Sequence, residues 1–552
     1  MQNQPKKEES SAYDPKSVEP RIYAEWLKRG FFAPAPESKN LKIKKLKNYT
    51  ILLPPPNITG SLHMGHALNA TISDILIRYH RMRGYRAAWL PGIDHAGIAA
   101  QNVVEKNLRK ENISRFDLGR EKFIEKIWEW KSKYGTIILD QLKRLGASAD
   151  WSRTRFTMDP AYSGQVLKAF VHYHDKGLIY RGKRVVNWCP RCGTSLSDLE
   201  IEYKEEDATL YYIQYGPFVL ATVRPETKFG DTAIAVHPKD PRYKKYIGRE
   251  LEIESLDTSG ELDAPRKIKV KIAVVADEAV DQKFGTGTIK VTPAHDLTDY
   301  DISLRHNLPL VQIIDERGRL NERAGKYAGM KVAEARKKIV EDLRVLGLLV
   351  KEEPYHHSVA VCYRCAAPLE PLPSNQWFIK MEKLAQATAK TVKAGKTKIL
   401  PKNFSRPFFA WLGNIKDWCI SRQIWWGHQL PVYFCAKNKP GEVLSPESGV
   451  RTPDIGHPSS DNFIVALEQP KQCPFCGQCQ MERYLDVLDT WFSSALWPFA
   501  GLPEADQNQF YPSDVLITAR DIINLWVGRM IFSGLEFMGK RAPFKTALIH
   551  AT

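Results

Sequence analysis

The sequence predicts an α/β protein whose parallel-sheet core is split by a β-rich insertion. Three observations carry that prediction. A strand, helix, strand run from Tyr49 to Leu90 is the building unit of a parallel sheet. Between about Leu210 and Ala294 the helical periodicity gives way to short β-type runs. Two Cys-x-x-Cys pairs, Cys189 with Cys192 and Cys362 with Cys365, stand on either side of that block. At 552 residues the chain is several times single-domain size, so three or more hydrophobic cores are expected.

Residues 1–46 read as a polar extension and an amphipathic lead-in from about Ala24, followed by a basic patch from Lys42 to Lys47. The first half of the sheet domain is expected over 47–185. Its first strand, Tyr49 to Leu53, must stop at Pro54, Pro55 and Pro56, which lack the N–H that a ladder needs. After the turn Asn57 to Gly60, the residues Leu68, Ile72, Ile75, Leu76 and Tyr79 recur at helical spacing until Gly84. Arg86 to Leu90 is the second strand, and helices follow at Leu118 to Leu145 and Tyr162 to Lys176. Residues 186–206 and 355–375 form a neck that carries the cysteine pairs. The insertion itself spans 207–354, with strands expected at Leu210 to Tyr215, Phe218 to Val223, Thr232 to Val236, Ile268 to Ala276 and Thr286 to Thr292. It closes with a helix from Val332 to Leu346 that Gly347 stops. Residues 376–552 complete the sheet domain and include a second cysteine-bearing module at 433–482.

Composition narrows the function classes. Hydrophobic residues make up 43% and charged residues 26%, with 34 Gly and 35 Pro, which excludes a disordered or collagen-like chain. The net charge of +17 favours a polyanionic partner, nucleic acid first. Nine cysteines are too sparse for a disulfide scaffold and sit mostly in pairs, as metal sites in a reducing compartment do, so a cytoplasmic protein is expected. The N-terminus lacks the apolar stretch of a secretory signal and no uncharged apolar run reaches membrane-spanning length, so no membrane partner is expected.

The densest constellation runs from Pro54 to His66 (PPPNITGSLHMGH), between the first strand and its helix. In an open parallel sheet that edge binds ligands. A helix N-terminus offers N–H groups and a positive dipole end to phosphate. Gly65 lets a flat nucleotide approach the backbone, while His63 and His66, three residues apart, share a helical face. The two imidazoles are expected to hydrogen-bond a phosphate whose charge rises during nucleophilic attack; a chance pair of surface histidines is the bland alternative.

These residues resemble the class I aminoacyl-tRNA synthetases, whose first nucleotide motif is His-x-Gly-His. The flanking text resembles their valine-specific branch in the Pro-Pro-Pro-Asn run, in Leu90 to Ala99 (LPGIDHAGIA) and in Asp489 to Pro498 (DTWFSSALWP). Similar matches run from about Tyr13 to the C-terminus. The resemblance implies a Rossmann-like catalytic domain that joins valine to tRNA(Val). Valine and ATP, with Mg²⁺, would give valyl-adenylate and pyrophosphate, and the acyl group would then pass to the 3′-terminal ribose. It implies that His63, Gly65, His66 and Asp521 bind ATP, Asp521 through the ribose, with Ala519 where the family usually has Gly. It implies that Asp94 holds the α-ammonium and that Pro54, Asn57, Trp426 and Trp491 line the side-chain pocket. Catalysis would rest on positioning and on charge stabilisation at the α-phosphate, without a protein nucleophile.

By spacing, Cys189, Cys192, Cys362 and Cys365 read as two zinc knuckles that share one tetrahedral Zn²⁺ and tie the two strands of the neck together. A thioredoxin-like redox pair is the rival reading. Cys435, Cys473, Cys476 and Cys479 form a second candidate set, left open because Asn438 stands where a second pair would need cysteine.

The insertion resembles the family's editing domain. An apolar pocket shaped for valine rejects isosteric threonine only weakly, so accuracy calls for a second, hydrolytic site. Ala221 to Thr227 and Lys290 to Tyr300 match its pocket segments. The match implies that Asp299 holds the misacylated amino group, while Thr222, Arg224, Thr227, Lys290, Thr292 and Asp296 shape a polar cavity; Val223 stands where the family usually has a second Thr. The family's Lys-Met-Ser-Lys-Ser loop and helical anticodon-binding domain would follow a segment like Phe544 to Thr552. The chain stops before both, so a fragment or a naturally short form is expected, monomeric and with severely reduced valine activation. Two further readings are an isoleucyl- or leucyl-type synthetase and an editing-only or noncatalytic RNA-binding protein.

Overall fold

A computed structural model of the chain describes residues 13–35, 46–197, 200–259, 265–435, 443–444, 451–452, 463–478 and 480–551. Lys42 to Lys45, Asn438 and Cys479 lie outside these residues. The central sheet has five strands in the order Lys398–Leu400, Phe544–His550, Ser513–Ala519, Asn48–Leu52 and Arg86–Leu90. Every pairing in it is parallel. Tyr49, Thr50, Ile51 and Leu52 are all buried, as a parallel sheet covered on both faces requires. The helix Met64–Met82 makes the crossover to Arg86–Leu90 and buries Ala70, Ser73 and Ile77. Because the strands are parallel, Leu52, Leu90, Ala519 and His550 end on one edge.

One local difference from the sequence expectation has a physical cause. The lead-in helix starts at Pro15, well before Ala24, because the Asp14 carboxylate caps the Lys16 N–H and Pro15 is preset for a first turn. The second strand spans Arg86–Leu90 as expected, and after Pro91 a short additional strand, Gly92–Ile93, pairs with Arg155–Phe156. Gly92 is required there: a Cβ would lie 2.0 Å from the Trp497 ring.

The β-rich block holds a four-stranded sheet, ordered Glu250–Leu256, Lys267–Ala276, Ala233–Val236 and Thr288–Val291. Beside it lies a three-stranded sheet of Leu349–Cys362, Ile201–Tyr215 and Phe218–Thr222. Ile213, Phe218, Ile234, Val274, Ile313 and Tyr327 belong to a core cluster distinct from the one beneath the central sheet, which includes Leu52, Phe170, Trp497 and Phe532. The strands Ile201–Tyr215 and Leu349–Cys362 pair antiparallel from Ile201 opposite Cys362 outward, so the ribbon into the block begins at the cysteines. Among the described residues no helix is long and apolar enough to cross a membrane.

Candidate active site

His63 is the N-cap of Met64–Met82. Its Nδ1 accepts the Gly65 N–H at 3.1 Å, and the His66 Nδ1 accepts the His63 N–H at 3.3 Å, a reciprocal capping box made by two imidazoles. The rings lie 4.0 Å apart, centroid to centroid. Because each Nδ1 accepts, each neutral ring carries its proton on Nε2 and presents it as a donor. Burial, followed by the neighbouring His63, lowers the His66 pKa to about 4, so this ring is neutral at physiological pH. One of the N–H groups at this helix N-terminus, that of Gly65, is thus occupied by His63. A Cβ at Gly65 would meet the His63 Cε1 at 3.0 Å, so the glycine is fitted to the ring that caps it.

Asp94 is buried beside Asn57, with which it forms an isolated parallel bridge: the Asp94 N–H donates to the Pro56 carbonyl at 2.9 Å and the Ile58 N–H to the Asp94 carbonyl at 3.3 Å. Its Oδ1 accepts the Thr157 hydroxyl at 2.8 Å and lies 3.1 Å from the His95 Nδ1; its Oδ2 meets the Thr490 hydroxyl at 3.4 Å. Burial would raise the carboxyl pKa, but the bonds from His95 and Thr157 reverse this and hold it below its usual value, so an anion sits in a dry site. It caps no helix; the helix Ile98–Arg109 is entered through Gly97, packed on the Thr490 side chain. Trp426 is buried, donates to the His95 carbonyl at 2.8 Å and meets Trp128 edge-on, whereas Trp491 is half-buried and its indole N–H has no partner among the described residues. Pro54 is half-buried and Asn57 exposed at the same edge.

Asp521 is exposed just past the strand Ser513–Ala519, on the edge that carries Pro54 to His66. Ala519 sits at φ −78°, so this position demands no glycine. Sequence reasoning overlooked several neighbours. Asn69 donates to the Ile517 carbonyl at 2.8 Å and lies 3.3 Å from the His550 Nε2, tying the helix to two strand ends. Thr157 has no sequence signal; Thr490 lies inside the Asp489 to Pro498 match but was read only as context for Trp491.

In the β-rich block the matched residues are largely bonded to one another. Lys290 Nζ donates to Thr227 at 2.8 Å and Thr292 at 2.5 Å and pairs with Asp231 at 3.3 Å. Arg224 is held by Glu226 at 3.1 Å and Glu370 at 2.5 Å. Thr222 accepts the Arg224 N–H at 3.0 Å, and Asp296 caps the helix Leu297–His306. Both cations are therefore engaged by side chains of the block and its neck. Asp299 differs: it is buried, accepts the Thr292 N–H at 2.7 Å and is raised to about 7 by desolvation and by Asp296.

The sulfurs of Cys189, Cys192, Cys362 and Cys365 lie within 4.8 Å of one another, and those of Cys189 and Cys365 are 3.5 Å apart. Zinc bound tetrahedrally at about 2.3 Å per sulfur spaces its ligands by about 3.8 Å, so this donor set fits the ion. Cys435, Cys473 and Cys476 also gather within 4.8 Å.

Comparison with known proteins gives a consistent picture. The family model described as tRNA synthetases class I (I, L, M and V) matches residues 21–552. A valine–tRNA ligase of Carboxydothermus hydrogenoformans is 48% identical over 550 residues, covering 98% of this chain and 58% of that protein. One from Thermotoga maritima is 47% identical over 552 residues, covering 98% and 59%. The chain therefore spans less than two thirds of the length of these relatives.

Proposed function

Because the chain belongs to the class I tRNA synthetases, we propose that it carries the valine-activating and editing parts of a valine–tRNA ligase. ATP lies on the C-terminal edge of the parallel sheet, its phosphates against the Nε2–H donors of His63 and His66 and its ribose at Asp521. The α-ammonium of valine is received by the Oδ2 side of Asp94, whose Oδ1 is already engaged by Thr157. Pro54, Asn57, Trp426 and Trp491 bound its side chain. A valine carboxylate oxygen attacks the α-phosphorus and the bond to pyrophosphate breaks; the two imidazole N–H groups stabilise the charge that grows on the phosphoryl oxygens. A ribose hydroxyl of the tRNA then attacks the acyl carbonyl and AMP departs. In the β-rich block, Asp299 holds the amino group of a threonyl ester while water hydrolyses it.

Mg²⁺ would enter bound to the triphosphate and would offset its charge. Cys189, Cys192, Cys362 and Cys365 hold Zn²⁺ as a structural clamp. A cytoplasmic, monomeric protein belongs to the same reading.

The observation that supports it is the reciprocal imidazole cap, which ties up both Nδ1 atoms at the N-terminus of the helix Met64–Met82 and leaves both Nε2 atoms for a ligand. Amino-acid-dependent ATP–pyrophosphate exchange tests it, run on this chain and on a version extended to its relatives' length. Exchange with valine alone, lost in His66→Ala, supports the reading. Exchange with isoleucine or leucine instead, or deacylation of threonyl-tRNA(Val) without exchange in either form, overturns the valine-activating part.

A further inference from the structure

Arg422 is 2% exposed and its partners Glu200 and Asp489 1% each. The Arg422 Nη2 donates to the Glu200 Oε2 at 2.5 Å and the Asp489 Oδ2 at 2.9 Å, while its Nη1 donates to the carbonyls of Cys419 at 3.0 Å and Ser421 at 2.9 Å. Glu200 belongs to the neck. Its carboxylate accepts the Ser197 N–H at 2.8 Å, the Ser197 hydroxyl at 2.9 Å and the hydroxyl of Tyr363 at 3.3 Å; Tyr363 lies between Cys362 and Cys365. Asp489 belongs to the amino-acid site. It caps the helix Thr490–Ser494 through the Trp491 N–H at 3.1 Å and accepts the Trp418 indole N–H at 3.0 Å. Thr490, the next residue, gives its hydroxyl to Asp94. Arg529 lies 3.9 Å from Asp489, so two guanidiniums face two carboxylates in a closed, dry cluster. Removing one charge from such a cluster leaves another buried without compensation.

We propose that Arg422 is a positioning residue: by gripping Glu200 and Asp489 with one planar guanidinium, it transmits the setting of the cysteine-bearing neck to Thr490 and Trp491 and so to the amino acid held by Asp94. The inference rests on the amino-acid site described above. The bonded path runs from Tyr363 through Glu200, Arg422, Asp489 and Thr490 to Asp94; among the described residues the side-chain bonds of His63 and His66 lie within their own capping box. A planar guanidinium suits this task because Nη1, anchored on two backbone carbonyls, fixes the plane in which Nη2 spans both carboxylates. The consequence is a split: a disturbed neck weakens amino-acid binding and spares ATP.

Adjacency alone does not establish coupling, so the test is a double-mutant cycle read on two ligands. Calorimetric titrations of this chain with valine and, separately, with ATP compare the parent, Glu200→Gln, Thr490→Val and the double variant. Glu200→Gln is expected to weaken valine about tenfold and leave ATP within about twofold, and its effect is expected to shrink when Thr490 is already Val. Arg422→Lys, which keeps the charge and loses the fork, is expected to fall between parent and Glu200→Gln. Valine and ATP weakening together, fully additive effects, or unchanged valine affinity in a folded Glu200→Gln would each overturn the proposal. Tyr363→Phe and Ser197→Ala, which loosen Glu200 without removing charge, carry the same comparison should Glu200→Gln fail to fold. If the parent took isoleucine in place of valine, the valine reading would fall while the same cycle run with isoleucine decides the proposal.

Discussion

At Gly65 a single hydrogen in place of a methyl decides how a ligand edge is built. Gly65→Ala sets a Cβ 3.0 Å from the His63 Cε1, so the ring must shift by a few tenths of an ångström and its bond to the Gly65 N–H is strained. A cap of this kind is worth about 1 kcal/mol, and a shifted imidazole re-aims its Nε2. The variant is expected to unfold at slightly lower urea and to bind ATP roughly tenfold more weakly, a change of about 1.4 kcal/mol; unchanged ATP affinity would show that the cap does not aim the ring. Asp299 gives a pH prediction. Burial and Asp296 raise it from 3.8 to about 7, so the folded state holds this proton more tightly than the unfolded chain. The stability this confers is full below the unfolded value and is lost as pH rises through about 7. Asp299→Asn should therefore match the parent near pH 4 and exceed it by on the order of 4 kcal/mol at pH 8, checked by denaturant melts at both pH values. Deacylation of threonyl-tRNA, which needs the carboxylate charged, should rise through pH 7 in the parent and vanish in the variant. The histidine pair and Gly65 stood out in the sequence by residue type and spacing, whereas Asp94 was singled out only through the family resemblance. The capping box was not legible, since imidazole seldom caps and nothing in spacing says which nitrogen is turned inward.

Elements were legible where their periodicity was apolar and hidden where it was charged. Arg86–Leu90 stands at the bounds its apolar run indicates. Glu250–Leu256 was missed because Glu250, Glu252 and Glu254 look like a solvated run. Paired with Lys267–Ala276, those side chains form a ladder, Glu254 to Lys267 at 2.7 Å and Glu252 to Lys269 at 2.8 Å, which pays the strand for its lack of apolar residues on that face. The neck ribbon runs nine residues further toward the cysteines than the expected strand start at Leu210, because pairing with Leu349–Cys362 overrides the polar text of Glu202 to Asp207. Its base is where metal removal should act. Cys189→Ser is expected to lower bound zinc by one ion per chain, measured by elemental analysis, and to expose the Tyr363 end of the ribbon to proteolysis. Full zinc in that variant would mean that this cluster does not hold the ion.

On the scale of the whole chain, the two large cores share few side chains. The cluster of the β-rich block draws in Trp188 and Leu372 from the two neck segments, whereas the cluster under the central sheet gathers residues from both halves of the chain, Leu52 and Tyr162 with Trp418 and Ile549. Those halves are separated in sequence by the block, so the main core closes only after residues hundreds of positions apart meet, while the block's core closes over short loops. Cooperative units follow contiguous cores, and units joined by a narrow neck melt separately. A calorimetric scan of the zinc-loaded chain should therefore resolve two transitions. Mutations such as Ile234→Ala, which empties a fully buried site in the block, should lower one by about 2–5 kcal/mol and leave the other in place. Chelation with the chain intact should shift both, because the neck borders both cores through Trp188 and through the Glu200–Arg422–Asp489 cluster. A single transition, moved equally by Ile234→Ala and by a main-core change such as Phe170→Ala, would show that the neck fuses the two cores into one folding unit.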